Sequence, residues 1–277
     1  MPQIKMNFNF STFPIKYFDL LEYVCDKTIT QIITDDAFDL TTSQLLFLNT
    51  LIKDAQRGVP IQYLTHKAYF YKDSFYVDST VLIPRPETEV LVEKSLHFLS
   101  HLQNFSYTLV DMCTGSGCIG LTIQKYINQP SKMYLVDISK TALQVCRKNL
   151  HQLLPDNPSI HLIQSNLFEN FNVQSPIDLI VSNPPYISSK NISDLSYSVR
   201  NFEPELALNG GDDGTVIIRR LLTQSAKIIS LQGAILLEIE DGQETQLIHF
   251  AETLFPTACV KATKDLFDRT RYLEIYL

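Results

Sequence analysis

The chain has 277 residues, 45% of them hydrophobic and 19% charged, with a formal net charge of -7. That is enough apolar material for one large domain, or for a medium domain with a small companion, and no apolar run approaches the ~20 residues of a membrane span. The negative balance weighs against a protein that grips duplex nucleic acid, which needs clustered Lys and Arg; the nearest candidates here, Arg147-Lys148 and Arg219-Arg220, are isolated pairs in helical contexts.

The N-terminus, MPQIKMNFNFSTF, has no basic segment followed by an apolar stretch and a cleavage site, so a cytoplasmic protein is expected. A helix is predicted around Tyr17–Cys25, with Phe18, Leu21 and Val24 on one stripe. Thr41-Thr42-Ser43-Gln44 has capping-box form, with Thr41 as N-cap. Leu45, Leu48, Ile52 and Ala55 follow on one face, and Gly58 stops that helix. AYFYKDSFYV (68–77) reads as a hairpin turning around Lys72-Asp73-Ser74.

From about residue 105 the rhythm changes. TLVDM (108–112), KMYLVD (132–137), SIHLIQS (159–165), DLIVS (178–182), GAILLEIE (233–240) and RYLEIYL (271–277) read as strands. Helical stretches lie between them, including one capped by Ser139 and running to Leu150, then VIIRRLLTQSAKII and QLIHFAETLF. Alternation of this kind implies an α/β fold with a doubly wound parallel sheet, whose closing strand pair can be antiparallel.

Gly115, Gly117 and Gly120 form a literal GxGxxG directly after the first of these strands and at the start of a helix. Glycine permits the tight turn and lets a ligand approach the backbone, while the helix N-terminus offers free N–H groups. Asp137 lies at the tip of the next strand, 20 residues after Gly117, where a carboxylate accepts hydrogen bonds from a ribose diol. A ligand with an adenosine-like ribose is expected. A dehydrogenase would hold a pyrophosphate over these glycines, and an S-adenosylmethionine (SAM) methyltransferase would hold the methionine end.

The fourth strand separates the two. In an open α/β sheet the chemistry lies beyond the carboxyl ends of the strands, and DLIVS delivers Asn183-Pro184-Pro185-Tyr186 to that edge. A planar NH2 group is a poor nucleophile because its lone pair is delocalised. The Asn183 side-chain oxygen and the Pro184 carbonyl can each accept one of its N–H groups, and the fixed φ of proline holds the acceptors rigid. Tyr186 offers a flat face for stacking. Catalysis would then come from positioning, with no strong base.

The segments RGVPIQYL (57–64), LIPRPETEVLVE (82–93), DMCTGSGCIG (111–120), YLVDIS (134–139), DLIVSNPPYI (178–187), EPELAL (203–208) and GGDDG (210–214) resemble, in order, the signatures of HemK/PrmC-type methyltransferases. These enzymes modify a glutamine in peptide-chain release factors. The IPRPETE stretch is the specific one: a related enzyme for a ribosomal-protein glutamine continues differently after Pro-Arg. The resemblance implies a helical N-terminal domain (1–66), a β-hairpin linker (67–83) and a Rossmann-like SAM-dependent methyltransferase domain (84–277). It implies SAM as cofactor and, as substrate, the glutamine of the Gly-Gly-Gln loop of class 1 release factors. Carried over by position, the cofactor contacts fall on Cys113, Thr114, Gly115, Ser116, Gly117, Asp137, Leu167 and Asn183. Asn183, Pro184, Pro185 and Tyr186 become the glutamine clamp, with Asn183, Pro184 and Tyr186 as the catalytic set. A monomer is expected, with no membrane and no direct nucleic-acid contact.

Three departures accompany the resemblance. Cys113 stands where the family usually has glycine, His66 replaces a common glycine after Tyr-Leu-Thr, and Leu167 is where some members have an aromatic. Cofactor binding is expected to survive Cys113, on condition that the loop keeps φ negative there. A small residue in a tight turn suits Cys113 better than a reactive thiol does.

The remaining signals are weaker. Five scattered cysteines make no CxxC and, with six dispersed histidines, no metal spacing. Pro84–Glu89 reads as a rigid bend opening a helix with acidic residues, and the resemblance implies that it also covers the cofactor pocket. Arg85 is open between an ion pair and a substrate contact. Glu203-Pro204 and Asp212-Asp213-Gly214 read as loop, bracing the clamp. Glu238 and Glu240 end the fifth strand, each a candidate acceptor behind the site. The aromatics of 69–76 read as hairpin packing rather than a base-stacking platform. The alternative function is a nucleic-acid amino-methyltransferase, for adenine or guanine, using the same clamp. A nicotinamide-dependent oxidoreductase would leave Asn183–Tyr186 without a task, and a non-catalytic nucleotide-binding module is separated only by turnover.

Overall fold

The structure, a computed structural model, describes residues 13–35, 38–102, 106–171 and 175–277. Its contacts divide the chain into two units. One comprises the chain up to Lys67 with Ser196–Phe202, and the other comprises Ala68–Leu195 with Glu203–Leu277.

The first unit is helical. It contains α1 (Phe18–Cys25), α2 (Ile29–Thr34), α3 (Thr42–Gln56) and α4 (Ile61–Thr65). The expected capping box opens α3: the Gln44 N–H donates to Thr41 Oγ1 at 3.2 Å and the Thr41 N–H to Gln44 Oε1 at 3.0 Å. Thr28 and Gln31 repeat the device at α2. The core is Tyr17, Leu20, Leu21, Ile32, Leu40, Leu48 and Leu51. Leu20 therefore joins Leu21 on the buried stripe of α1, and Phe18 lies at its margin.

The second unit takes in the expected hairpin, β1 (Lys67–Phe70) and β2 (Asp73–Tyr76), from Ala68 onward. Its turn falls at Tyr71-Lys72, a residue earlier than the sequence suggests, with Tyr71 at φ 58°. Phe70 and Phe75 are buried in the main core. The Tyr76 backbone exchanges hydrogen bonds with the Asn149 side chain at 2.6 and 3.0 Å. The hairpin expected as a linker is thus grouped with this unit.

The α/β body follows in the order α5 (Glu89–His101), β3 (Tyr107–Met112), α6 (Cys118–Tyr126), β4 (Ser131–Asp137), α7 (Lys140–Leu153), β5 (Ile160–Gln164), β6 (Ile177–Ser182), α8 (Tyr197–Phe202), α9 (Val216–Ser225), β7 (Ile229–Glu238), α10 (Glu244–Leu254), β8 (Cys259–Lys264) and β9 (Thr270–Tyr276). Of these, α8 belongs to the helical unit. The described strands of the body form one sheet in the order β5-β4-β3-β6-β7-β9-β8. Pairing is parallel from β5 to β7, then antiparallel through β9 and β8.

Alternate residues of one strand feed opposite faces of the sheet, as the two-residue period requires. Leu109, Leu179, Leu135 and Leu236 pack with α5 and α6, while Val110, Ile180, Ile235 and Leu237 pack with α9 and α10. This is the doubly wound α/β fold predicted above. β8 was not predicted: its CVKATK sequence has no apolar run, and lysines at 261 and 264 suit an exposed edge. The crossover reverses at β3, which has β4 on one side and β6 on the other, so a crevice opens beyond their carboxyl ends. No helix among the described residues is long and apolar enough to cross a membrane.

Candidate functional site

The turn after β3 is built on positive φ. Cys113 sits at 59°, Gly115 at 53° and Gly117 at 83°. This corrects the expectation that Cys113 would keep φ negative. The chain must reverse at once from β3 into α6, and the left-handed conformation there is imposed by the turn rather than by the residue filling it. An L-residue in that region costs about 1–2 kcal/mol. Gly120 has a different reason to be glycine: a Cβ there would lie 2.3 Å from Leu135 Cδ2 and 2.9 Å from Asp111 Cβ. Its absence lets α6 close onto the sheet.

Two carboxylates hold the turn. Asp111 is fully buried, and its Oδ2 accepts the Thr114 hydroxyl at 2.6 Å and the Gly120 N–H at 2.9 Å. Its Oδ1 has no hydrogen-bond partner. Burial pushes this carboxyl up to about 7, against the lowering effect of those two donors. Asp137 accepts the Gly115 N–H on Oδ2 at 2.9 Å and the Ser139 N–H on Oδ1 at 2.8 Å. Burial raises its pKa, and the backbone donors oppose that. Burial, then the charge of Asp137, pushes the Cys113 thiol far up, so Cys113 is no thiolate nucleophile.

A cavity of about 450 Å³ opens over this turn, within the range of roughly 300–1,000 Å³ common for small-molecule sites. Cys113, Thr114, Gly115, Ser116 and Asp137 line one side, and Ser165, Asn166 and Leu167 continue it. Asn183 and Pro185 border it from the loop after β6. Thr80, Val81, Leu82, Pro84 and Thr88 face them, with Pro204, Leu206 and Ala207. The structure therefore gathers seven of the eight predicted cofactor residues, Asn183 among them, together with Pro185. Gly117, Pro184 and Tyr186 are not among the lining residues. Gly117 caps α6, where a Cβ would meet Cys146 Sγ at 2.6 Å.

Behind the cavity runs a chain of hydrogen bonds. Asn183 Nδ2 donates to Thr88 Oγ1 at 3.2 Å, and the Thr88 hydroxyl donates to Glu238 Oε2 at 2.7 Å. The Tyr186 hydroxyl donates to Glu238 Oε1 at 3.0 Å. Glu238 lies at the end of β7, next to β6, and is 1% exposed. Burial raises the Glu238 pKa, offset by its two hydroxyl donors and by Arg271. Burial and the Glu238 charge push the Tyr186 phenol upward, so it stays neutral and donating.

The clamp loop is also held from outside the cavity. Gln243 Nε2 donates to the Tyr186 carbonyl at 2.9 Å, and the Ile187 and Gly210 N–H groups bond the Leu208 and Ile187 carbonyls at 3.0 and 2.8 Å. A Cβ at Gly210 would lie 2.8 Å from the Pro185 carbonyl oxygen, and one at Gly214 2.2 Å from that of Tyr186. Arg85 pairs with buried Glu203, whose other oxygen accepts the Ile83 N–H at 3.3 Å. That gives Arg85 the ion-pair role. Sequence reasoning did not single out Thr88, Gln243, Asp111 or Gly210. Only Thr88 carried a signal, as the residue between the two glutamates of Pro-Glu-Thr-Glu.

The family model for the methyltransferase small domain matches residues 92–200. A release factor glutamine methyltransferase of Thermodesulfovibrio yellowstonii is 35% identical over 74% of this chain and 72% of its own. One from Clostridium acetobutylicum is 35% identical over 84% and 81%. The chain belongs to the release factor glutamine methyltransferase family. A ribosomal protein uL3 glutamine methyltransferase of Francisella tularensis is also similar, 32% identical over 74% of this chain and 64% of its own. Among solved structures, the hMettl16 catalytic domain bound to an RNA hairpin superposes with a TM-score of 0.57 at 12% identity, covering 73% of this chain and 74% of that one. The T. thermophilus 16S rRNA methyltransferase RsmC, with AdoMet and guanosine, gives 0.52 at 13% identity over 76% of this chain and 49% of its own. Those two likenesses establish the shared methyltransferase fold.

Proposed function

We propose that this protein transfers a methyl group from SAM to the side-chain amide nitrogen of the glutamine in the Gly-Gly-Gln motif of class 1 peptide-chain release factors. The observation that carries the reading is the state of Asn183: its Nδ2 donates an N–H to Thr88 while the residue borders the cavity, so its Oδ1 is left to accept.

The residues present suit SAM. Asp137 is a cavity-lining carboxylate with lone pairs left after two backbone bonds, as a ribose diol requires. Leu167 is 5% exposed and gives an apolar surface for a base. A Cβ on Gly115 would meet nothing within 4 Å, so the turn presents bare backbone to the cavity. Cys113 to Gly117 would hold the methionine end. When bound, SAM supplies a methyl group on a sulfonium, leaving the bonding pair on sulfur.

Everything else is the work of the chain. Asn183 Oδ1 and the Pro184 carbonyl each accept one N–H of the glutamine amide, fixing the nitrogen and favouring its lone pair on the side of the methyl donor. The nitrogen sheds one proton to water once it carries the methyl, so no strong base is required. Pro185 limits how far the loop can yield, and Tyr186 anchors it through Glu238. The same reading makes the protein a cytoplasmic monomer without direct nucleic-acid contact, in keeping with its charge of -7.

The test is label transfer from SAM to a class 1 release factor, beside a variant with alanine for the motif glutamine and a DNA duplex. Label on the intact release factor alone, falling at least ~10²-fold with Asn183→Ala, is the expected outcome. Label on DNA, or on the alanine variant, would refute the reading.

A further inference from the structure

The clamp needs an acceptor at Asn183, yet an asparagine amide is nearly symmetric in shape. Rotated by half a turn, it would present two N–H donors to the substrate NH2, and donor would face donor. Something must choose. Thr88 alone cannot, because a hydroxyl gives or takes a hydrogen bond equally well. Its other neighbour decides the matter. Glu238 lies 2.7 Å from Thr88 Oγ1, and each of its two oxygens accepts a hydroxyl hydrogen, Oε2 from Thr88 and Oε1 from Tyr186. The single hydroxyl hydrogen is therefore spent on Glu238, and only lone pairs are left towards Asn183.

We propose that Glu238, acting through Thr88, is a positioning residue that sets the polarity of Asn183, turning its oxygen to the substrate amide. Both relay residues are buried, Thr88 at 2% and Glu238 at 1% exposure, so water does not substitute for either. The second oxygen of Glu238 holds the Tyr186 hydroxyl, so one carboxylate ties both ends of Asn183–Tyr186 to the end of β7. This inference rests on the amide-methyl transfer proposed above.

The decisive variant is Glu238→Gln, which keeps the shape and supplies a donor. Its NH2 can donate to Thr88, whose hydroxyl is then free to donate to Asn183 Oδ1 and stabilise the wrong rotamer. Thr88→Val removes the relay at nearly constant volume, and Thr88→Ser restores it. Steady-state methylation of a release factor is measured for each, with SAM binding by calorimetry as the check on folding. Expected are a kcat lower by ~10²-fold or more in Glu238→Gln and Thr88→Val, KM and the SAM Kd within about threefold of wild type, and most of kcat regained in Thr88→Ser. Glu238→Gln and Thr88→Val enzymes with wild-type kcat would overturn the inference while leaving the function intact. So would a loss matched by weakened SAM binding, which would mark a role in holding the pocket together. A wild-type protein that leaves the release-factor glutamine unmodified overturns the functional reading, and this inference with it.

Discussion

Gly214→Ala tests whether the clamp is held from behind. The new Cβ would stand 2.2 Å from the Tyr186 carbonyl oxygen and 2.6 Å from Gln243 Nε2, at a φ of +76°. The positive φ costs alanine about 1–2 kcal/mol, of which ~0.5–1 is returned by the stiffer unfolded chain. The contact is the larger matter. To reach ordinary separation the carbonyl must withdraw by about 1 Å, and it belongs to a loop stiffened by two prolines and pinned through Gln243 and Glu238. A displacement of that size at a positioned group is worth ~10²-fold in rate. Methylation kcat should fall by that factor, while SAM binding by calorimetry stays near wild type because Gly214 does not line the cavity. Gly242→Ala is the matched control: φ is +92°, and nothing lies within 4 Å of its Cβ. It should lose only the stability that the positive φ costs and keep kcat within about threefold. Equal kcat in the two variants would refute the bracing argument.

Two further predictions concern the turn beneath the cavity. Cys113→Gly and Cys113→Ala both remove the sulfur but differ in tolerance of φ 59°, so the glycine variant should be the more stable in urea by about 0.5–1 kcal/mol; an alanine variant of equal stability would sink the assignment of strain to that residue. Asp111 has a folded pKa of about 7 against an ordinary carboxylate value when unfolded, so between those values the folded state holds a proton that the unfolded chain has released. Its raised pKa means that the stabilising contribution is full at acid pH and is lost as pH rises towards 7, at ~1.4 kcal/mol per pH unit. Relative to Asp111→Asn, the wild type should therefore weaken steadily over that window and level off above it, measured by denaturant midpoint at each pH; parallel curves for the two proteins would refute it.

Sequence alone was sufficient wherever a constraint is satisfied within one stretch of chain. The glycine turn, Asp137 and Asn183–Tyr186 are each legible because strand, turn and helix follow one another directly, and the fold rule about strand ends then brings them to one crevice. The brace behind them is not local. Thr88 reaches Glu238 across 150 positions and Asn183 across 95, and Gly214 touches Tyr186 only because the loop after β6 pairs with residues 208–211. In the sequence, Thr88 is a polar residue in a prolyl bend, and no local pattern announces its second role. Asp212-Asp213-Gly214 was read as a loop bracing the clamp, but its contact with Tyr186 is visible only in the fold. β8 was illegible for another reason: its partly exposed edge residues carry no apolar period.

The departures from the family pattern teach something the motifs do not. His66, Cys113 and Leu167 were singled out as unusual letters, and all three have positive φ, at 54°, 59° and 54°. At 66 and 113, where the resemblance leads one to expect glycine, a non-glycine residue sits in the left-handed region that favours glycine. At 113 the turn is fixed by Asp111 and Asp137 bonding Thr114, Gly115 and Gly120, which together outweigh an αL penalty of about 1–2 kcal/mol. Cys113 takes the left-handed conformation without closing the turn: Gly115 still presents bare backbone to the cavity, with a neutral thiol two residues before it.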